Sequence, residues 1–223
     1  MINIDILILL LIVYLISVFG TFFYKKFAIK FNILANMNFR TLHQKPTPRG
    51  GGIVFAITFI IGVLFLIFSG FIKKELLWVF VFGSGLALIV GYIDDLVSIS
   101  SIYKLVLQFA LAFWILYFFD GEVFTENKGL FGLAINFVIA VLLVWLINTY
   151  NFIDGSDGMA ILGAILISFT LIVTLMLTSG TSDLMLLLML LLVSCLGFLF
   201  FNWPKATIFM GDAGSIFLGF CFS

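Results

Sequence analysis

Charge is what this sequence has least of. Eleven basic and eleven acidic residues make up 10% of its 223 positions, while 64% are hydrophobic and the mean hydropathy is +1.31. Soluble domains carry ~25% charged residues, so an ordinary soluble fold is excluded. The formal net charge is zero, which leaves no bulk attraction to nucleic acid. Cysteine is almost absent. Cys195 and Cys221 lie in apolar runs without CxxC spacing, which argues against a disulfide framework and a thiolate metal site; both read as small buried hydrophobes. His43 is the only histidine, and by default it is a solvated loop residue. There is no Ser–His–Asp pattern, no haem motif, no GxGxxG and no P-loop.

What the chain has instead is long apolar runs. Candidate spans cover about 4–24, 53–70, 76–93, 102–119, 131–150, 159–178 and 184–201, with a partial one from about 213; a bilayer needs ~20 apolar residues per helix. The expected fold class is all-α, a polytopic transmembrane helical bundle. The whole of 1–223 reads as one integral membrane domain with about seven full spans and a partial eighth. Twenty-nine phenylalanines suit lipid-facing helices. Asp5 stands where a signal peptide has basic residues, and no A-x-A cleavage site follows, so the first run is expected to be a retained span. The last run is short for a full crossing, so the chain is expected to be incomplete at its C-terminal end.

The few cations orient the bundle. With the loop after the first span cytoplasmic, one side holds the eight residues Lys25, Lys26, Lys30, Arg40, Lys45, Arg49, Lys104 and Lys205. The other holds three, Lys73, Lys74 and Lys128. The N-terminus is then outside. The loops at 25–52, 94–101, 149–158 and 202–212 all fall on the cytoplasmic face, and they carry PTPRGGG, DD, NTYNFIDGSDG and NWPKATIFMGD. Four distinctive loops on one face predict one composite site.

The stretch 148–160, NTYNFIDGSDGMA, ends an apolar run with Asn148, Asn151, Asp154 and Asp157 at every third position. On a straight helix such a step turns ~300°, so the four would drift around the cylinder. Gly155 and Gly158 suggest a bend that brings several of these oxygens together. Amides and carboxylates suit Mg²⁺, which is often shared with substrate phosphates. A polar cap is the plainer reading, but a cap needs one such residue, not four with two glycines.

Asp94 and Asp95 follow the third span. Neighbours on a helix diverge by ~100°, so one could face a substrate while the other holds a lysine or a helix terminus. Carboxylates at membrane depth are costly and often functional; marking the membrane boundary is the plain alternative. Lys104 could neutralise a phosphate, pair with an aspartate, or simply anchor the helix. Asp212, between two glycines at a helix start, is either an N-cap or a metal ligand. Asn202, Pro204 and Lys205 make a short loop able to hold it in register. PTPRGGG, residues 46–52, suggests close backbone approach to an anion with Arg49 as a bidentate donor; a hinge is the equal alternative. Many acidic and amide oxygens on one membrane face point to Mg²⁺-dependent phosphate chemistry.

Taken together, NxxNFxDGxDGxA, the paired aspartates of GYIDDL, PTPRGGG and NWPKATIFMGDAGSIFLGF resemble the polyprenyl-phosphate N-acetylhexosamine-1-phosphate transferases, glycosyltransferase family 4. This superfamily initiates O-antigen and enterobacterial common antigen, and makes lipid I of peptidoglycan. The motifs run in the expected order from about residue 40 to 220, and they look closer to the O-antigen-initiating type. The resemblance implies transfer of a sugar-1-phosphate from a UDP-N-acetylhexosamine to undecaprenyl phosphate, with release of UMP. It implies Mg²⁺, with Mn²⁺ able to substitute, in the inner (cytoplasmic) membrane among membrane lipid, with a homodimer allowed and no nucleic acid.

By the same resemblance Asp212 is the leading metal ligand, with Asn151 as second. Asp94 contacts or deprotonates the lipid phosphate, and Asp95 orients Lys104 or the site. Asp154 and Asp157 line the nucleotide and sugar pocket, and Asn148, Lys104 and Arg49 join the substrate-binding set. The lysine near the Pro-Thr-Pro turn, here Lys45, varies in the family. Direct attack and a covalent aspartyl intermediate both stay open. A later histidine-rich loop of the family is not in this sequence, which bears on sugar choice and competence. Two other classes compete. An ion-coupled transporter predicts polar residues at span midpoints, whereas here they cluster at one face. A CDP-alcohol phosphotransferase needs DGxxAR, which Gly158-Met159-Ala160 does not continue.

Overall fold

The computed structural model describes residues 3–35, 46–118, 129–178 and 182–223; His43, Lys45, Arg40 and Lys128 lie outside them. Helices account for nearly all of the regular structure. They are α1 Ile4–Lys30, α2 Gly52–Phe68, a π-helical turn Trp78–Gly83 running into α3 Ser84–Val97, α4 Ser101–Phe118, α5 Leu130–Ile153, α6 Met159–Thr178, α7 Asp183–Asn202 and α8 Gly211–Phe222. Among the described residues the β-structure is one isolated bridge, between Leu34 and Pro48.

Among the described residues six helices are long and apolar enough to cross a membrane, while Gly52–Phe68 and Gly211–Phe222 are shorter apolar helices. At 1.5 Å per residue the helix Gly211–Phe222 is ~18 Å long against a ~30 Å hydrocarbon core. Helix ends alternate along the chain. The segments around 46–52, 94–100, 154–158 and 203–211 therefore gather at one end of the bundle.

Three helices run past their predicted bounds, for different reasons. α1 continues to Lys30 because Lys25, Lys26 and Lys30 can lay their alkyl stems along the helix and keep their charges in water. α3 takes in Asp94 and Asp95, whose backbone still satisfies the helix while their side chains find partners. α5 runs to Ile153, so Asn148 and Asn151 are helical and Asp154 ends it. The bend proposed for this stretch is a helix end, a turn over 154–158 and a new helix.

The short last helix is the hub. Every residue from Ala213 to Phe220 is buried, packed against α3, α5 and α2. Phe217 meets Phe55 and Phe59 of α2 edge-on at 5.9 and 5.7 Å between ring centres, and Phe55 meets Phe198 of α7 at 5.4 Å. On the periphery, Ser17 of α1 donates to the carbonyl of Ser194 on α7 at 2.6 Å, and a Cβ added at Gly197 would lie 2.6 Å from that of Ser17. Such small-residue contacts are how apolar helices pack without water to drive them. The outer sides of α1, α4 and α5 carry exposed Leu, Ile, Val and Phe, a surface suited to lipid. Cys195 is buried and Cys221 half-buried, both free.

Candidate active site

The site is assembled around the first turn of α8. A helix start leaves backbone N–H groups without partners and a partial positive charge. Asp95 of α3 supplies the acceptor: its two carboxylate oxygens take the N–H groups of Asp212 and Ala213, each at 3.0 Å. Two glycines make this fit. Gly91, one helical turn before Asp95 and on the same face, lets α3 reach the Asp212 backbone, where a Cβ would overlap the carbonyl. Gly211 has φ +73, and a Cβ there would sit 2.5 Å from the Asp95 carboxylate. Asp212 is thus not the cap of its helix. Asp95 caps it from another helix, and the Asp212 carboxyl is left to face the site.

Asp94 points elsewhere, as adjacent helical residues must. One oxygen accepts from the N–H of Ile99 at 2.6 Å, and the other pairs with Lys104. Lys104, at the start of α4, also holds Asp212 at 2.8 Å. One ammonium thus joins two carboxylates on two helices. The Asp94 side chain is 7% exposed, Lys104 27% and Asp212 25%, so the last two are the members of this cluster that face outward. The expectation that Asp95 orients Lys104 takes a different form: Asp94 and Asp212 hold the lysine, while Asp95 holds the helix that carries Asp212.

Arg49 is built into the frame. It donates to the carbonyls of Asp94, at 3.0 Å, and Asp95, the C-terminal carbonyls of α3, and its Nε lies 3.5 Å from the Asp95 carboxylate. Residues 48–52 run beside 209–210: Phe209 N–H donates to Pro48 O at 2.8 Å, Gly51 N–H to Phe209 O at 3.0 Å and Gly52 N–H to Met210 O at 2.9 Å. The close approach that the three glycines predict is to the chain's own backbone, because a Cβ on Gly52 would overlap Gly214.

The four polar residues of 148–157 do not converge on one point. Asn148 forms a reciprocal amide pair with Gln108 of α4, at 2.7 and 3.2 Å. Asn151 donates to Ser215 Oγ at 3.0 Å. Asp154 lies by the Gly211 N–H and near Asp95 and Asp212. Asp157 accepts from the Ala206 N–H at 2.9 Å. That last bond, with Asn202 accepting from Gly158 N–H at 3.2 Å and donating to Ile208 O at 2.9 Å, ties the 154–158 turn to the 203–210 loop. Burial, and then the charges of Asp95 and Asp212, raise the Asp154 carboxyl well above the usual carboxylate range, although the residue keeps part of its surface exposed.

Sequence reasoning passed over Gln108 and Ser215. The signal for Gln108 is a lone amide in an apolar span, one turn after Lys104.

Four carboxylates, Asp94, Asp95, Asp154 and Asp212, face two side-chain cations, Lys104 and Arg49, a formal excess of two negative charges. A cation already sits on Asp94 and Asp212, in the form of the lysine ammonium. Among the described residues no group of three His, Cys, Asp or Glu could hold a metal by itself. Hard oxygen donors, few in number and partly open, fit an ion such as Mg²⁺ that keeps places for water and substrate phosphates; they do not fit zinc.

Comparison with known proteins gives this geometry its setting. A family model described as glycosyl transferase family 4 matches residues 77–223. A probable undecaprenyl-phosphate N-acetylglucosaminyl 1-phosphate transferase of Bacillus subtilis is 33% identical over 206 residues, covering 89% of this chain and 56% of that protein. A decaprenyl-phosphate N-acetylglucosaminephosphotransferase of Mycolicibacterium smegmatis is 31% identical over 231 residues, covering 92% and 55%. A phospho-N-acetylmuramoyl-pentapeptide-transferase of Staphylococcus saprophyticus is 31% identical over 206 residues, covering 81% and 62%. The chain spans little more than half the length of these curated relatives. The matched interval takes in Asp94, Asp95, Lys104, the 148–157 stretch and Asp212, and the chain belongs to glycosyl transferase family 4.

Proposed function

We propose that this protein transfers N-acetylhexosamine-1-phosphate from a UDP-sugar to undecaprenyl phosphate and releases UMP, as the first membrane step of a cell-envelope polysaccharide. The observation that carries the reading is the Asp94–Lys104–Asp212 cluster at the start of a buried helix, open on one side and short of one positive charge. The names of the relatives, which specify polyprenyl phosphates and amino-sugar phosphates, support it.

An oxygen of the lipid phosphate attacks the β-phosphorus of the UDP-sugar. The bond to the α-phosphate breaks, and UMP leaves with the bridging oxygen. One phosphoanhydride is lost and one is formed, so the reaction runs backwards with added UMP. Asp94, at the floor of the cluster, contacts the lipid phosphate and takes its proton when it carries one. Lys104 offers positive charge where the phosphates meet. Asp154 lies on the nucleotide and sugar side, and Asp157 holds the loop that borders it. Asp95 and Arg49 keep the frame. Asp212, with Asn151 as second ligand, would hold Mg²⁺, or Mn²⁺ in its place. When bound, such an ion lowers the repulsion between two anionic phosphates, which is large in a low-dielectric setting.

The lysine and arginine asymmetry of the loops supports a site on the cytoplasmic face of the inner membrane. The transporter reading gains no support: each charged residue of the described helices lies within two turns of a helix end.

Membranes carrying the protein, given Mg²⁺, undecaprenyl phosphate and UDP-N-acetylhexosamines, are expected to form a lipid-linked sugar pyrophosphate and UMP. EDTA abolishes this, and excess Mg²⁺ restores it. UMP release that persists without the lipid, or sugar flux with no lipid product, overturns the reading.

A further inference from the structure

We infer that the Gln108–Asn148 amide pair is a positioning device that aims Lys104 at Asp94 and Asp212; the inference rests on the transferase reading of that cluster. The argument starts from how α4 is held. None of residues 101–107 is buried. Gln108, 2% exposed, is the first buried residue of this helix, and the apolar anchors Leu111, Ala112 and Ile115 follow it toward the far end. The turn that carries Lys104 thus has no hydrophobic anchor of its own. It is held by the lysine's ion pairs and, one turn further on, by the amide pair. Gln108 lies four residues after Lys104, so both side chains leave the same face of the helix.

Asn148 is in turn fixed. Its Nδ2 donates to Gln108 Oε1 at 2.7 Å and to Val144 O at 2.9 Å, while its Oδ1 accepts from Gln108 Nε2 at 3.2 Å. A side-chain amide has two N–H groups, and both have protein partners, which leaves none to offer a substrate. The contacts close a ring: α8 packs on α5, α5 holds α4 through the amides, and α4 returns to α8 through Lys104 and Asp212. A neutral pair suits this task. It does not compete with Lys104 for the carboxylates, and it does not titrate, so its grip is independent of pH.

The test uses the full chain in membranes, with Gln108→Leu, Asn148→Leu and the swapped pair Gln108→Asn with Asn148→Gln. Gln108→Leu and Asn148→Leu are each expected to lower kcat about 10-fold, about 1.4 kcal/mol of barrier, while KM for either substrate stays within about twofold. The swap keeps the reciprocal amides and is expected to recover most of the loss. A second readout needs no turnover: backbone amides of 101–107 are expected to exchange hydrogen faster in the Gln108→Leu protein, while those of α8 keep their protection. Should Gln108→Leu fail to accumulate, Gln108→Met, of similar volume, replaces it. An unchanged kcat, a rise confined to KM for the UDP-sugar, or unaltered exchange at 101–107 overturns the inference. Wild-type membranes that show no transfer overturn the transferase reading instead, and the exchange measurement still stands.

Discussion

Gly211→Ala is the sharpest perturbation of the frame, because the structure contains its own control. Gly211 and Gly70 have nearly the same left-handed backbone, φ +73 and +74. A Cβ at Gly70 meets nothing within 4 Å, whereas one at Gly211 would lie 2.5, 2.6 and 2.8 Å from the three carboxyl atoms of Asp95. Alanine in this conformation costs about 1 kcal/mol of strain, and that is all Gly70→Ala should show. At Gly211 the carboxylate must also retreat by about 1 Å to reach van der Waals separation, which breaks at least one of its two bonds to the start of α8. A hydrogen bond to a charged group contributes about 1.5–3 kcal/mol, so Gly211→Ala should destabilise by about 2.5–4 kcal/mol. Asp212 is the next residue, and a misplacement of about 1 Å at a reacting group can cost ~100-fold in rate. The assay is lipid-linked sugar formation in membranes, paired with thermal unfolding in detergent. Gly70→Ala is expected to turn over at nearly the wild-type rate and Gly211→Ala about 100-fold more slowly. Equal effects of the two substitutions would refute the argument, since strain alone would then explain both.

Asp212→Asn removes a charge from the exposed wall of the cluster, so turnover at ordinary Mg²⁺ should fall by orders of magnitude while the protein still inserts; retained turnover takes Asp212 out of the site. Asp154 is held above the usual carboxylate range by burial and by Asp95 and Asp212. Its contribution to stability is therefore complete below the unfolded-state value of ~3.9 and is lost as pH rises through its raised native value. Asp154→Asn should flatten the fall in unfolding temperature between acidic and neutral pH, and an unchanged profile would show that other groups set it. Cysteines introduced at Thr47 and Ile153 should react with a membrane-impermeant thiol reagent only from the cytoplasmic side; labelling from outside sinks the topology.

The helices were legible because apolar runs of this length leave few alternatives, and the gathering of the polar loops followed from counting lysines and arginines. That one aspartate could take a lysine or a helix terminus followed from the ~100° divergence of neighbours on a helix; the assignment of Asp95 to the terminus did not. It depends on Gly91 and Gly211, more than a hundred residues apart, admitting a backbone contact that no local pattern encodes. The spacing of Asn148, Asn151, Asp154 and Asp157 suggested one focus, but a three-residue step does not match a 3.6-residue turn. Helix α5 also continues to Ile153, so the four reach four different partners. The glycines of PTPRGGG were read as a close approach to an anion, but what approaches Gly52 is Gly214. Gln108 was within reach of the sequence, since a lone amide one turn beyond a lysine in an apolar helix needs a partner.

The hub helix also bears on how the protein is made. Its neighbours α2, α3 and α5 all leave the ribosome before it, and each presents to it a surface shaped for backbone contact: Gly52, Gly91 and the Ile147 backbone against Gly219. Until residues 211–222 are synthesised, that slot has no occupant and Asp95 has no helix to cap. Helices α1, α2 and α7 pack on one another without it, so what waits for α8 is the joining of α3 and α5 through it and, with that, completion of the carboxylate cluster. A lesion in α8 is then expected to act as a failure of assembly, with α3 and α5 inserted but not held together.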